Sequence, residues 1–190
     1  MKIVIVYFSK TGTIKTLVQY AQRILSQYDV DLTISKIKAS EIIHGRYTNN
    51  HTLVELRSSD GVIFATPTYF GGVPAQFKSF LDATSIFWQS QLLAGKLLCG
   101  ITSGGYVNGD QTHTLQYLQT FANQQGMLWV PLGLVDDRYG VQSGISVVSN
   151  TRKSLKEEDF SLVGHLVTHL HYLLKMRLHE NEQYASQPRA

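Results

Sequence analysis

The stretch KIVIVYF at residues 2–8, followed directly by SKTGTI at residues 9–14, decides the fold. After Lys2 the apolar run has no polar face, which is typical of a strand in a parallel sheet that is covered on both sides. Apolar residues then recur at spacings of three and four from Ile14 to Leu25, and this period predicts an amphipathic helix. A strand that passes directly into a helix is the first half of a β-α-β unit.

Short apolar runs and helical segments continue to alternate along the rest of the chain. The sequence predicts further strands at 32–37, 61–66, 96–102 and 127–130, and helices at 74–88, 113–124 and 154–178. Ser154 and Glu157 have the spacing of a capping box at the start of the last helix. Before it come an irregular stretch at 136–144 and a β-like run at 145–148. This alternation predicts an α/β, flavodoxin-like fold: a five-stranded parallel sheet, order 2-1-3-4-5, with helices on both faces.

Length, charge and cysteine content exclude several classes of protein. A chain of 190 residues suits one domain, which we expect at 1–178 with a polar tail at 179–190. Lys and Arg total 17 against 14 Asp and Glu, a net charge of +3, and the basic residues are scattered, so no nucleic-acid partner is predicted. The single cysteine, Cys99, excludes a disulfide-built scaffold. No apolar run approaches the ~20 residues of a membrane span, so we expect a cytoplasmic protein and no membrane partner.

In such a sheet ligands bind beyond the carboxyl ends of the strands, where three loops of this chain are expected to meet. Residues 9–14 offer three hydroxyls and the start of a helix, which together suit a phosphate. Residues 66–74 combine glycines with two aromatics, and residues 102–110 are rich in glycine and polar side chains. The alternatives are an ordinary helix cap by Thr11 or Thr13, aromatics that belong to the core, and a solvent-facing glycine turn.

These loops carry a family resemblance. The sequence SKTGTI at 9–14 resembles the phosphate loop of FMN-binding, flavodoxin-like proteins. The sequence TPTYFG at 66–71, together with Trp88 and LAGKL at 93–97, resembles the NAD(P)H:quinone oxidoreductases once called tryptophan-repressor-binding proteins. The similarity spans roughly residues 2–148.

The resemblance implies a bound FMN and the residues that hold it. Five residues of the first loop would hold the phosphate: Ser9, Thr11, Gly12, Thr13 and Ile14. The second loop would contact the flavin ring through Pro67, Thr68, Tyr69, Phe70 and Gly71. The third loop would line the other side of the ring with Thr102, Ser103, Gly104 and Gly105. No metal is expected, because His165 and His169 lack an acidic third ligand and read better as solvent-facing or interface residues.

The implied activity is an NAD(P)H:quinone oxidoreductase in which NAD(P)H reduces the flavin and leaves, and a quinone then enters the same site. The flavin carries the chemistry, so no catalytic side chain is certain; the candidates are Trp88, Gln125 and Tyr69. Tyr69 stands where the family usually has arginine, and Gln125 replaces a family histidine, which predicts slower turnover. The family also implies a homo-oligomer, a tetramer or a dimer, in which an aromatic matching Trp88 walls a neighbouring site.

The main alternative is a flavodoxin-type electron carrier that binds FMN without reducing quinones. Such carriers are usually strongly acidic, and the net charge of +3 speaks against this function. A flavin fold kept only as an interaction module would not need the hydroxyls of residues 9–14. The buried position expected for Cys99 predicts an inert thiol. The choice between NADH and NADPH, and the physiological acceptor, stay open at this point.

Overall fold

A parallel sheet forms the centre of the computed structural model, which describes residues 1–134, 141–149 and 154–185. The strands are β1 Lys2–Tyr7, β2 Asp31–Lys36, β3 Ile42–Ile43, β4 Arg46–Tyr47, β5 Gly61–Pro67, β6 Leu97–Gly104, β7 Leu128–Trp129, β8 Gly133–Leu134, β9 Val141–Gln142 and β10 Ile145–Val148. The helices are α1 Thr13–Leu25, α2 Asn50–Ser58, α3 Ala75–Ala83, α4 Gln111–Gln124 and α5 Glu157–Ala185.

The sheet runs in the order β2-β1-β5-β6, and two short strands share the fifth position beside β6. The strand β7 pairs with the start of β6, where Leu128 is the partner of Leu97, and β10 pairs with its end, where Ile145 is the partner of Ile101. The predicted order 2-1-3-4-5 is therefore confirmed, with the run at 145–148 as part of the sheet. The intervening chain forms the antiparallel pair β8–β9, and Asp136, Asp137, Arg138 and Tyr139 lie outside the described residues.

Helices cover both faces of the sheet, as the apolar β1 run predicts. Successive side chains of a strand point to opposite faces, so Ile3 and Ile5 enter one core while Val4 and Val6 enter the other. The first core is completed by α1 and α5, and the second by α2, α3 and α4. This arrangement leaves the carboxyl ends of the strands uncovered by helices.

Three helix boundaries differ from the sequence prediction by three residues or more. The helix predicted at 74–88 ends at Ala83, where the Thr84 hydroxyl donates to the Leu81 carbonyl at 2.7 Å, and a 3-10 turn follows. The capping box predicted from Ser154 is wrong, because α5 begins at Glu157 and the Asp159 carboxylate accepts the Lys156 N–H at 2.8 Å instead. That helix extends to Ala185, past the start of the expected tail.

The connection between β2 and β5 contains a 3-10 turn, the hairpin β3–β4 and α2. The Asn49 side chain caps α2 by accepting the N–H groups of His51 at 3.1 Å and Thr52 at 3.4 Å. The Ser79 hydroxyl of α3 donates to the Gly45 carbonyl at 2.9 Å and holds the hairpin against that helix. Among the helices of the described ranges, none has both the length and the apolar character that a membrane span requires.

Candidate functional site

A cavity of about 510 Å³ lies where the carboxyl ends of β1, β5, β6 and β10 meet. All three predicted loops contribute to its wall, together with one residue that follows β10. The lining residues are Thr11, Thr13, Pro67, Thr68, Tyr69, Ser103, Gly104, Gly105 and Ser149. None of these described residues carries a charged side chain, so the cavity offers hydroxyl and backbone groups rather than lysine or arginine.

The first wall is the loop that leads into α1. Gly12 is the N-cap residue of this helix and has a φ of 102°. As a glycine it has no side chain with which to cap the helix. The alternative of an ordinary cap by Thr11 or Thr13 is therefore wrong. Ile14 is 1% exposed and packs in the core, so only its backbone could face a ligand. The exposed start of α1 beside two hydroxyls is a suitable place for an anion.

A cluster of three threonine hydroxyls holds the second loop to the third. Thr68 Oγ1 lies 2.8 Å from Thr102 Oγ1 and 2.8 Å from Thr114 Oγ1. The Thr68 N–H also donates to the Ser103 carbonyl at 2.8 Å. Thr102 and Thr114 are fully buried, so water does not reach these hydrogen bonds. The bonds therefore fix Thr68 relative to β6 and α4.

The second loop ends in a tight turn that presents an aromatic side chain to solvent. Tyr69 and Gly72 exchange two backbone hydrogen bonds of 2.9 and 3.1 Å, and both central residues have positive φ, 49° at Phe70 and 72° at Gly71. These are the features of a type I′ turn, which is unusual for a phenylalanine. His113 Nδ1 donates to the Gly71 carbonyl at 2.6 Å. Phe70 is fully exposed and Tyr69 is 39% exposed, so the alternative that both aromatics are core is wrong.

The third loop follows β6 and is shaped by a buried glutamine. Gln111 is 4% exposed, and its Nε2 donates to the Tyr106 carbonyl at 2.8 Å. A Cβ at Gly104 would lie 2.4 Å from that same Nε2, so only glycine leaves room for Gln111 in this position. Tyr106 and Val107, at the outer side of the loop, are exposed.

The structure brings together part of the predicted binding set. Eight predicted residues line the cavity, and the six others do not but stand within two positions of a lining residue in the sequence: Ser9, Gly12, Ile14, Phe70, Gly71 and Thr102. The Ser9 hydroxyl accepts the Lys15 N–H at 3.2 Å, which orders the loop. Ser149 was not predicted, although the carboxyl-end rule points to it once 145–148 is assigned to the sheet. Its hydroxyl accepts from Thr13 Oγ1 at 3.3 Å.

Two of the three candidate catalytic residues lie at the opposite edge of the sheet. Gln125 follows α4, is 3% exposed, and donates through Nε2 to the Thr84 hydroxyl at 3.1 Å. Trp88 follows the 3-10 turn after α3 and is 53% exposed. Only Tyr69 lies at the cavity, so within one chain the three candidates do not form one site.

The structure assigns no chemical role to Cys99 or to the histidines of α5. Cys99 is fully buried in β6, and burial raises the pKa of its thiol, which keeps it protonated and unreactive. His165 is exposed on α5, and the His169 ring lies near Gly133. Within the described part of the chain, no group of three histidine, cysteine or acidic residues has the arrangement of a metal site.

The FMN implied by the sequence resemblance fits this cavity. Its volume of about 510 Å³ lies within the range of roughly 300–1,000 Å³ that is usual for ligand pockets. A Cβ at Gly12 or at Gly105 would meet no atom within 4 Å, so both glycines leave space that a ligand can approach. A phosphate suits the start of α1, and a flat ring suits the part of the cavity beyond the hydrogen-bonded ends of β5 and β6, where the residues at 67–69 and 103–105 line the wall.

Comparison with known proteins agrees with this reading of the cavity. The family model described as NADPH-dependent FMN reductase matches residues 1–137. The quinone-oxidoreductase QR2 of Triphysaria versicolor is 33% identical over 142 residues, which cover 70% of this chain and 69% of that protein. An NAD(P)H dehydrogenase (quinone) of Deinococcus radiodurans is 29% identical over 185 residues, covering 88% and 92% of the two chains.

A solved structure is also similar over nearly the whole chain. It is described as a flavodoxin, WrbA-like protein from Agrobacterium tumefaciens. The TM-score is 0.74 at 28% sequence identity, and the match covers 92% of this chain and 98% of the other. The shared fold places the cavity described above at the same carboxyl edge at which sheets of this topology bind ligands.

Proposed function

This chain belongs to the NADPH-dependent FMN reductase family, and we propose that it is an FMN-dependent oxidoreductase that reduces quinones with NAD(P)H. The observation that carries this function is the cavity at the carboxyl edge of the sheet, where three loops leave an uncharged, hydroxyl-lined space beside the start of α1. When bound there, FMN supplies the redox chemistry, accepting a hydride from NAD(P)H and giving two electrons to the quinone.

The residues of the cavity bind and orient the cofactor. The Thr11 and Thr13 hydroxyls and the N–H groups of Gly12, Thr13 and Ile14 hold the phosphate, stabilised by the positive end of α1. The flavin ring would be held by the residues at 67–69 and 103–105, which line the same cavity beyond the paired ends of β5 and β6. Phe70 and Gly71 form the turn that positions Tyr69, and Thr102 fixes Thr68 through their hydrogen bond. Backbone groups of the third loop stabilise negative charge on the ring, as preorganised dipoles do.

The direct test is anaerobic reduction of the FMN-reconstituted protein. We expect the visible absorption of the bound flavin to bleach within the mixing time of NADPH or NADH, and benzoquinone to restore it. Binding of FMN without bleaching by either nucleotide would identify an electron carrier and contradict the proposal. Failure to bind FMN would contradict both functions. Free FMN mixed with the same reductants is the control, because it separates protein-bound from uncatalysed reduction.

The proposal includes a homo-oligomer, a tetramer or a dimer, in which Trp88 walls the cavity of a neighbouring subunit. Ile86, Trp88 and Leu92 are large apolar side chains that are 66%, 53% and 36% exposed, far from the cavity of their own chain. Exposed apolar patches of this kind are typical of interaction surfaces.

The proposal also includes a cytoplasmic location and no nucleic-acid partner, in keeping with a pyridine-nucleotide reductant and scattered basic residues.

Sedimentation velocity on the FMN-loaded protein measures the oligomeric state. We expect a dimer or a tetramer, and we expect Trp88→Ala to lower the rate of quinone reduction roughly tenfold, as the loss of a well-placed aromatic does. The matched control is Tyr172→Ala, which removes another half-exposed aromatic, on α5, and is expected to leave the rate unchanged. A monomer with full activity would exclude this part of the proposal.

A further inference from the structure

The tip of the second loop is tied to the start of α4 by one side chain, His113. Its Nδ1 lies 2.6 Å from the Gly71 carbonyl oxygen, and because a carbonyl oxygen only accepts, the ring nitrogen is the donor. Asp110, the N-cap residue of α4, approaches the same turn. A Cβ at Gly71 would lie 3.6 Å from the Asp110 Cβ and 3.8 Å from His113 Nδ1. The start of α4 therefore packs directly against the turn at 69–72.

This turn has a conformation that its own residues do not favour. Phe70 has a φ of 49°, which a residue with a Cβ adopts only with strain. Its ring is fully exposed, so packing of the side chain does not hold the turn in place. Two backbone hydrogen bonds between Tyr69 and Gly72 close the turn, and the bond from His113 adds a contact from outside it. Because the turn is strained, it depends on these few hydrogen bonds.

The second loop is held at two points that differ in their access to water. At its base, the Thr68 hydroxyl shares hydrogen bonds with two fully buried hydroxyls of β6 and α4. At its tip, the contact between His113 and Gly71 is exposed. Tyr69 lies between these two points, and because it lines the cavity and is also 39% exposed, it stands at the opening of the cavity. A change at the tip is therefore expected to move Tyr69 while the base stays fixed.

We infer that His113 is a positioning residue, which holds the turn at 69–72 so that Tyr69 keeps its place at the opening through which substrates reach the flavin. The inference rests on the proposed function, since this opening serves a reaction only if the cavity holds FMN. Thr68 is fixed without the help of His113, so loss of the histidine is expected to spare FMN binding. The substrates, which enter past Tyr69, are expected to bind less tightly.

Millisecond hydrogen exchange of the apoprotein tests the contact without using activity or FMN. The N–H groups of Tyr69 and Gly72 donate across the turn at 2.9 and 3.1 Å, so their exchange rates report how often it opens. In His113→Leu, which removes the donor, we expect both to exchange roughly 2- to 10-fold faster, as the loss of one hydrogen bond predicts. His113→Asn keeps an N–H donor at the same number of bonds from Cα as Nδ1, and is expected to exchange at the wild-type rate. The matched control is His165→Leu, the same change at an exposed histidine on α5.

Steady-state kinetics of the FMN-loaded protein provide the second readout. His113→Leu is expected to lose roughly 2- to 10-fold in kcat/KM for benzoquinone and for NADPH through a higher KM, while kcat and the affinity for FMN stay within about twofold. His113→Asn is expected to keep the wild-type values. A general loss of structure would lower the affinity for FMN as well, so this pattern separates a positioning role from a role in stability alone.

Unchanged exchange in His113→Leu would overturn the inference. Faster exchange with unchanged kcat/KM would overturn it too, because the histidine would then hold the turn without serving the site. If His113→Asn behaves like His113→Leu, the ring and not its N–H donor is the cause, and the inference is wrong. If the wild type does not bind FMN, the proposed function fails, but exchange of the apoprotein still reports whether His113 holds the turn. The two failures are therefore distinguishable.

Discussion

Gly12→Ala is expected to weaken FMN binding roughly 10- to 100-fold. Gly12 has φ of 102°, a conformation that alanine adopts only with strain of about 1–3 kcal/mol. The chain relieves that strain by rotating the backbone, which turns the N–H groups at the start of α1 away from the phosphate. A Cβ at this position meets no atom within 4 Å, so a loss of affinity reports the backbone conformation rather than a clash.

Fluorescence titration of the apoprotein with FMN measures this loss. The control variant is Gly72→Ala, which also places its Cβ in open space near the site but at a residue without positive φ. Its FMN affinity is expected to match the wild type. If Gly12→Ala binds FMN as tightly as Gly72→Ala does, the loop after β1 is not the phosphate site.

The second large effect is expected from Gly104→Ala. The added Cβ would lie 2.4 Å from Gln111 Nε2 and 2.6 Å from its Cδ, inside contact distance. Gln111 is buried and donates to the Tyr106 carbonyl, so its displacement releases the third loop. We expect the free energy of unfolding to fall by about 1–3 kcal/mol, as overpacking does. FMN affinity is expected to fall with it, because this loop forms one side of the ring site.

The neighbouring residue provides a matched control. A Cβ at Gly105 meets no atom within 4 Å, so Gly105→Ala is expected to unfold at the same urea concentration as the wild type. Urea denaturation monitored by circular dichroism compares the two variants under one condition. If Gly104→Ala and Gly105→Ala lose the same stability, the contact with Gln111 is not the cause. The loop would then be intolerant of any added side chain.

The sheet and the first loop follow from local sequence patterns. The apolar run at 2–8 predicts β1, the apolar period that follows it predicts α1, and the hydroxyls between them predict the phosphate loop. Each of these signals comes from residues that are close together in the chain. The hairpin β3–β4 and α2 were missed, since their residues lack a strong apolar period. The Asn49 cap and the two-residue turn His44-Gly45, which has positive φ at both residues, were the local signals there. Ser149 was missed because β10 is only four residues long and follows an irregular stretch.

Features that depend on distant parts of the chain could not be predicted. The Thr68, Thr102 and Thr114 hydroxyls meet only because β5, β6 and α4 are adjacent in space. His113 likewise reaches the Gly71 carbonyl across 42 positions of sequence. Gln125 shows the opposite case. The resemblance suggests it for the site, yet α4 runs away from the carboxyl edge and leaves Gln125 at the far end.

The packing of α1 against α5 joins two helices that are more than 100 residues apart in the sequence. Within the part of the chain that the structure describes, these two helices cover one face of the sheet, and the core between them includes Leu17, Val18, Val163 and Leu166. During synthesis, a nascent chain that has left the ribosome as far as β10 still exposes this apolar face. The helix α5 must emerge before the face is covered, so this core forms only after α5 has been synthesised. An exposed apolar face of this kind makes a partly synthesised chain prone to aggregation.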